Sequence, residues 1–441
     1  MEPAATNSDQ EPARRRPPRL WRSGARAVLA ASGAVVLGVA TVIGTAMVTA
    51  KPILLLVAGL VVASAVAVGG CRWAARGHEG RHRRAVMATT GAAMAVIVGG
   101  LALIVATPSR DPGQPAVTVE GERFWSLPTG SHLRYVKVPA RGTPDETPVV
   151  FVHGGPGTPD MAHDVAFFGR LAADGFDVYV YDQIGAGGSA RLADPEDYRR
   201  DRDVADLEAI RRAIGAQRMV LIGHSYGASV VAGYLAAYPD RVERTVFASP
   251  SSLDPSDTSG GNVQSRLDGD QRRDVYSRAL HPRNLLVYTL LQVSPDAAHA
   301  VAGDDEMDAQ NDRIYAASEP ALHCPGNALD RPPTGLGFYR LQYPQSAAAP
   351  AAPDLRPDLS GSDTPALVIK GSCDYLSWSS AVTYVDTFSE AKLIYLRGGH
   401  NVHQDAPEEV LAELRAFLTS RPLPIAPYRG TAVPPDYEGP A

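Results

Sequence analysis

The chain has 441 residues, is 45% apolar and carries a formal net charge of −6, which is long for one domain. Charge divides unevenly: residues 1–110 hold a net +9 and the remainder a net −15. So acidic a remainder is a poor partner for nucleic acid or anionic headgroups.

Three charge-free apolar runs occupy the first quarter, at about 27–49, 53–70 and 86–106. Each approaches the ~20 residues that span a bilayer as helix. Cleavable signal peptides have one such run, so three predict retained anchors. Lys51-Pro52 between the first two allows only a tight helical hairpin. Arg14, Arg15, Arg16, Arg19, Arg22 and Arg26 precede the first run, and Arg72, Arg76, Arg81, Arg83 and Arg84 follow the second. By the positive-inside rule the N-terminus and the 71–85 loop are cytoplasmic, and everything after Ala106 is extracytoplasmic. The arginines read as topology determinants rather than as a nucleic-acid site.

Beyond residue 107, short β-branched runs recur at 133–138, 149–152, 178–181, 219–222, 245–248, 366–369 and 393–396. Most are continuously apolar, which suits a parallel sheet covered on both faces. Helical patterns at 203–214 and 408–418 fall between and after them, giving an α/β doubly wound arrangement. From about 251 to 362 no strand is evident, and helix-like patches such as 274–280 and 284–292 predict a helical cap over the sheet's C-terminal edge. The expected organisation is a basic N-terminus (1–26), a three-helix transmembrane region (27–106), a core in two parts (107–250 and 363–421) around the cap (251–362), and a loose Pro-rich tail (422–441). The Ala/Pro-rich stretch 347–357 reads as a linker. Cys71 sits at the inner end of the second run. Cys324 and Cys373 lie where oxidation is permitted, and the sequence leaves a disulfide and two buried thiols both open.

Chemistry concentrates at Gly223-His224-Ser225-Tyr226-Gly227, which follows the run Met219–Ile222 and precedes a small-residue helical stretch. Strand, Gly-x-Ser-x-Gly and helix together resemble the nucleophile elbow of α/β-hydrolases. A nucleophilic serine needs a base, an orienting acid and an oxyanion hole. Asp374 stands just past the strand at 366–369, whereas Asp363 precedes that strand and falls at the wrong end of the sheet. His400 follows the strand at 393–396 behind two glycines. His403, three residues later, is the competitor and is expected to pack toward the next helix. The remaining histidines of this region, His132, His163, His281, His299 and His323, read as ordinary surface or packing residues. Two backbone N–H groups should face the developing oxyanion: that of Tyr226, and one from His153-Gly154-Gly155-Pro156-Gly157, for which Gly155 is the candidate.

That loop, the segment Asp182-Gln183-Ile184-Gly185-Ala186-Gly187-Gly188-Ser189, the elbow and the order Ser225, Asp374, His400 resemble the proline iminopeptidase family over roughly residues 120–420, the cap excepted. The resemblance implies an α/β-hydrolase fold with a mostly parallel sheet. It implies an acyl-enzyme mechanism on Ser225, His400 and Asp374, release of N-terminal residues from short peptides, and no metal or cofactor. Ile184 stands where the family has arginine, and Tyr226 where tryptophan is common. The family holds the free amine with cap glutamates, which do not align here. Asp304, Asp305, Glu306, Asp308 and Glu319 are the cap carboxylates that could serve, although acidic runs are commonly solvated surface.

The leading expectation is therefore a membrane-anchored extracytoplasmic aminopeptidase with a small peptide substrate. An esterase or lipase with the same triad is the alternative, since such a site cleaves esters more easily than amides. Epoxide hydrolases have Asp at the elbow, which Ser225 disfavours. A non-catalytic receptor is disfavoured by the intact triad.

Overall fold

A computed structural model describes residues 19–108, 113–143, 145–257, 261–329 and 331–440. They form two compact units, divided between Thr107 and Pro108. Arg14, Arg15 and Arg16 lie outside the described residues.

The first unit consists of α1 (Arg19–Ala46), α2 (Pro52–Ala74) and α3 (Gly80–Ala106). All three are long and apolar enough to cross a membrane: at ~1.5 Å per residue, even α2 reaches about 35 Å against a hydrocarbon core of about 30 Å. Pro52 opens α2 at the helix position where its missing N–H costs nothing. Small residues let α1 and α2 approach closely, since a Cβ on Gly59 would stand 2.6 Å from a Val42 methyl.

The second unit is built on an eight-stranded sheet ordered β1-β2-β4-β3-β5-β6-β7-β8. The strands are β1 (Glu122–Ser126), β2 (His132–Val138), β3 (Val149–Val152), β4 (Val178–Tyr181), β5 (Met219–His224), β6 (Val242–Ala248), β7 (Ala366–Gly371) and β8 (Ala391–Leu396). β2 runs antiparallel to β1 and β4, and β4 through β8 pair in parallel. The expected mostly parallel α/β sheet is present. β1 is the strand that sequence reading missed. Trp125 is its one buried residue and Phe124 is exposed, so no run of apolar residues marks it.

Helices α4 (Met161–Phe168), α5 (Arg200–Ala213), α6 (Tyr226–Ala237), α13 (Trp378–Thr387), α14 (Val402–Asp405) and α15 (Pro407–Leu418) flank the sheet. One hydrophobic cluster joins Phe151, Val180, Ile222 and Ile369 of the strands to Phe168 and Leu411 of the helices. Between β6 and β7 the described residues form only helices and loops: α7 (Gly269–Ala279), α8 (Pro282–Leu291), α9 (Pro295–Val301), α10 (Asp304–Ser318), α11 (Phe338–Gln342) and α12 (Arg356–Leu359).

Two readings need correction. Within the acidic run 304–308 Asp305 is exposed, but Glu306 and Asp308 are not solvated surface. The run opens α10, where carboxylates complement the helix N-terminus. There Glu306 pairs with buried Arg283, and Asp308 with Arg191 at 2.8 Å. Nor is 422–440 loose. It has no helix or strand, but Tyr428 N–H donates to Leu393 O, Trp378 Nε1–H to Thr431 O, Glu438 N–H to Ser372 O and Trp378 N–H to Pro440 O. Tyr437 also donates to the Leu376 carbonyl. Proline content identified a segment without regular structure but could not report tertiary anchoring.

Candidate active site

Ser225 sits between β5 and α6 with φ 54° and ψ −118°, a conformation that costs a non-glycine residue on the order of 1–3 kcal/mol and persists only where its surroundings impose it. The imposition is visible. A Cβ on Gly227 would stand 2.0 Å from Val152 O, so only glycine lets the elbow press against β3. Ser225 N–H is held by Ala248 O at 2.9 Å on the neighbouring strand. Tyr226 is the first residue of α6, so its N–H belongs to the turn whose donors have no intrahelical acceptor.

The 153–157 loop leaves β3 and lies directly on the elbow: a Cβ on Gly154 would stand 2.9 Å from that of Ser225. Gly155 has φ 113°, which favours glycine. His153 anchors the loop. Its Nδ1–H donates to Gly154 O at 2.9 Å while Nε2 accepts from Gln183 N–H at 2.9 Å. Burial holds its pKa down at about 3, so the ring is neutral. Gln183 in turn donates to His153 O and accepts from Arg340 Nη2 at 2.9 Å. Thus the two glycine-rich segments are one structure. Ile184 is buried and apolar, and the charge bonded to this segment's Gln183 comes from Arg340 of α11, which also bonds Asp203 and lies over the Tyr226 ring.

Asp374 follows β7 and His400 follows β8. The carboxylate can only accept, so His400 Nδ1–H donates to Asp374 Oδ1 across 2.9 Å. Leu376 N–H donates to the same oxygen, and Lys370 Nζ donates to Oδ2 at 2.8 Å. Asp374 and Lys370 are both fully buried. Burial alone would raise the Asp374 pKa, but Lys370 and then His400 outweigh it and hold the carboxyl below its ordinary value. Lys370 is pushed down by burial, against the pull of Asp374.

His403 is elsewhere. It packs against Phe151, Phe167 and Phe168 and meets Asp164 at 3.2 Å. Burial drives that histidine well down and that aspartate well up, so it favours the uncharged form of each. Asp363 lies before β7, at the opposite end of that strand from Asp374.

Ser225, His400 and Gly155 line one cavity of about 270 Å³. No carboxylate is among the described residues that line it. Asp304, Asp305 and Asp308 line a separate groove, and Glu306 is committed to Arg283. Glu319 bonds His323 Nε2 at 2.7 Å, and Asp405 bonds His323 Nδ1 at 2.5 Å. A ring with a carboxylate on each nitrogen donates at both and is an imidazolium. Burial opposes this charge, yet Asp405 and Glu319 raise its pKa to about 9. His323 is thus no ordinary packing residue. It ties the base of the cap to α14, and next to it Cys324 is disulfide-bonded to Cys373, the neighbour of Asp374. Asp405 Oδ2 also accepts from Gly399 N–H at 2.8 Å, beside His400. His224, the free position of the elbow motif, donates from Nε2 to His400 O at 2.9 Å. Sequence reading missed Lys370, His323, Asp405, Arg340 and His224, because each acts through partners brought together only by the fold.

A family model described as the alpha/beta hydrolase fold matches residues 147–407. Among curated proteins the chain is 35% identical over 122 residues to a proline iminopeptidase of Heyndrickxia coagulans, covering 28% of this chain and 41% of that protein. It is 32% identical over 133 residues to a human (lyso)-N-acylphosphatidylethanolamine lipase, covering 29% and 37%. The chain therefore spans about two fifths of the length of the curated relatives it matches. Among solved structures, a proline iminopeptidase of Mycobacterium smegmatis aligns over 68% of this chain and 98% of that one, with 21% identity and a TM-score of 0.46.

Proposed function

Because the chain belongs to the alpha/beta hydrolase family, we propose that it is a serine hydrolase that cleaves an acyl bond through an acyl-enzyme on Ser225. His400 takes the Ser225 proton as Oγ attacks the carbonyl carbon, and later gives it to the leaving group. Asp374 fixes the His400 tautomer that leaves Nε2 free to accept, and stabilises the imidazolium. The N–H groups of Gly155 and Tyr226 receive the oxyanion. Water then repeats the sequence and frees the acid. The observation that carries this reading is that a serine on a strained elbow and a histidine bonded to a buried aspartate line one cavity. The three apolar helices of the first unit would anchor the enzyme in a bilayer, with the second unit outside the cytoplasm.

Two finer readings follow. Release of an N-terminal residue, as in proline iminopeptidases, is supported by the glycine-rich loops and by the partial likeness to those enzymes. Hydrolysis of an uncharged ester or amide is supported by the cavity, whose described lining has no carboxylate to receive a free amine.

The test is covalent labelling of the full-length protein in detergent with a fluorophosphonate, followed by turnover of prolyl arylamides and short acyl esters. Labelling at Ser225 is expected, together with its loss in Ser225→Ala and a fall of at least a hundredfold in rate in His400→Ala. Labelling that survives Ser225→Ala overturns the assignment.

A further inference from the structure

One wall of the cavity is a face of α10. Asn311, Ile314, Tyr315 and Ser318 recur at helical spacing, and all four line it. Gln342, the last residue of α11, and Gln345 of the turn after it also line it, and Tyr375 adjoins His400. Every described lining residue other than the histidines is uncharged at all pH values near neutrality. Two cap carboxylates adjoin these lining residues in sequence: Asp312 accepts from Gly335 N–H and Leu336 N–H, and buried Glu319 is held by the His323 imidazolium and by Leu329 N–H. Both contacts of Glu319 fall on its Oε1, so that carboxylate's charge is already engaged by the imidazolium.

An ammonium entering such a space would lose its hydration and find no anion in return, a cost that strongly disfavours it. A carbonyl oxygen would fare differently. Asn311 is 2% exposed, and its side-chain Nδ2 is buried with no hydrogen-bond partner. An amide N–H left so is costly unless an acceptor arrives.

We propose that this cavity selects an uncharged acyl group, such as an N-acylated residue or a simple ester acyl chain, and rejects a free N-terminal amine, with Asn311 as the residue that sets the preference. The inference rests on the serine-hydrolase reading above and chooses between its finer forms. No step is added to the chemistry: the acyl carbon bonded to Ser225 Oγ is the same, and only the group attached to it is specified.

The experiment measures how ligands slow fluorophosphonate labelling of Ser225 in the full-length protein. N-acetylprolinamide and prolinamide are compared at pH 6.5, where an α-amine is charged. The N-acetyl compound is expected to protect at a concentration about a hundredfold lower, a ratio that corresponds to roughly 2.7 kcal/mol. Asn311→Asp places a carboxylate on the same face and should reverse the ratio by at least tenfold in favour of the amine. Asn311→Leu should weaken N-acetyl protection about tenfold without helping the amine. Equal protection by both compounds, stronger protection by the amine, or an unchanged ratio in an Asn311→Asp protein that still labels at the normal rate overturns the inference and leaves the hydrolase reading standing. Absence of Ser225 labelling in the unmodified protein would instead remove the hydrolase reading itself.

Discussion

The two oxygens of Asp374 have different partners. Oδ1 receives the His400 N–H, and Oδ2 receives a lysine that is fully buried. Replacing Lys370 by methionine keeps the apolar stem and removes the cation, leaving Oδ2 without its charged partner. Breaking a buried pair this way costs about 3–5 kcal/mol, so the urea midpoint of Lys370→Met should fall markedly at pH 7. The sign with pH follows from the depressed Asp374 pKa. Its stabilisation is present above the unfolded carboxyl value of about 3.9 and is lost as pH falls through the lower folded value. Without Lys370 that folded value rises, so acid unfolding followed by circular dichroism should move to higher pH. An unmoved acid transition would show that Lys370 does not hold the Asp374 charge. At this scale the sequence was legible for Ser225, whose flanking glycines announce the turn, and for Asp374 and His400, which stand just past strand ends. It was silent on Lys370. A lysine at a strand end ordinarily reaches solvent, and this one is buried by Asp374 and by Tyr437, 67 residues further on.

At the scale of elements, the cap and the core are joined by a clasp rather than by apolar packing alone. Glu319 and His323 belong to the turn that follows α10 in the cap, Asp405 to α14, and Cys324 is bonded to Cys373 in the loop of Asp374. Closing the 49-residue separation between the two cysteines removes unfolded-state entropy worth roughly 4 kcal/mol on the chain-entropy account. The His323 pKa, raised to about 9, predicts a window. Its stabilisation is complete below the unfolded value near 6.5 and is lost as pH rises through about 9. Stability measured between pH 7 and pH 10 should therefore decline more in the unmodified protein than in His323→Gln, with the excess on the order of 2 kcal/mol. Parallel declines would mean that the clasp is not charged. None of this was readable from spacing. The two cysteines carry no direction in sequence, and a histidine four residues from a glutamate is common on any helix. The cap's helices were also harder to read than the core's. α7 and α8 were partly visible, but α10 opens on charges that belong to its N-terminal turn and to ion pairs, and so resembled surface.

Across the whole molecule, the clearest departure from sequence expectation is the tail. Segment 428–440 closes over the outer side of the acid loop, with Tyr437 within 5.7 Å of Lys370 Nζ and Glu438 bonded to Ser372. Deleting residues 424–441 should therefore slow Ser225 labelling by more than tenfold, because it uncovers Lys370 and Trp378, both buried to within 1%. A deletion that labels at the normal rate would reduce the tail to packing.

The division into two units was legible from charge and hydropathy alone, because three helices long and apolar enough to cross a membrane contrast with the acidic remainder. Orientation is a separate matter. On the proposed anchoring, the arginines that precede the first apolar run and those that separate the second from the third would lie on the cytoplasmic side by the positive-inside rule, and three crossings would put the second unit on the opposite side. The Cys324–Cys373 bond agrees with an oxidising compartment. Intact cells producing the protein should therefore be labelled at Ser225 by a fluorophosphonate that cannot cross membranes, to the same extent before and after permeabilisation. Labelling that appears only after permeabilisation would place the site inside. It would also make the disulfide the exception to be explained, since a cytoplasmic thiol pool keeps such cysteines reduced.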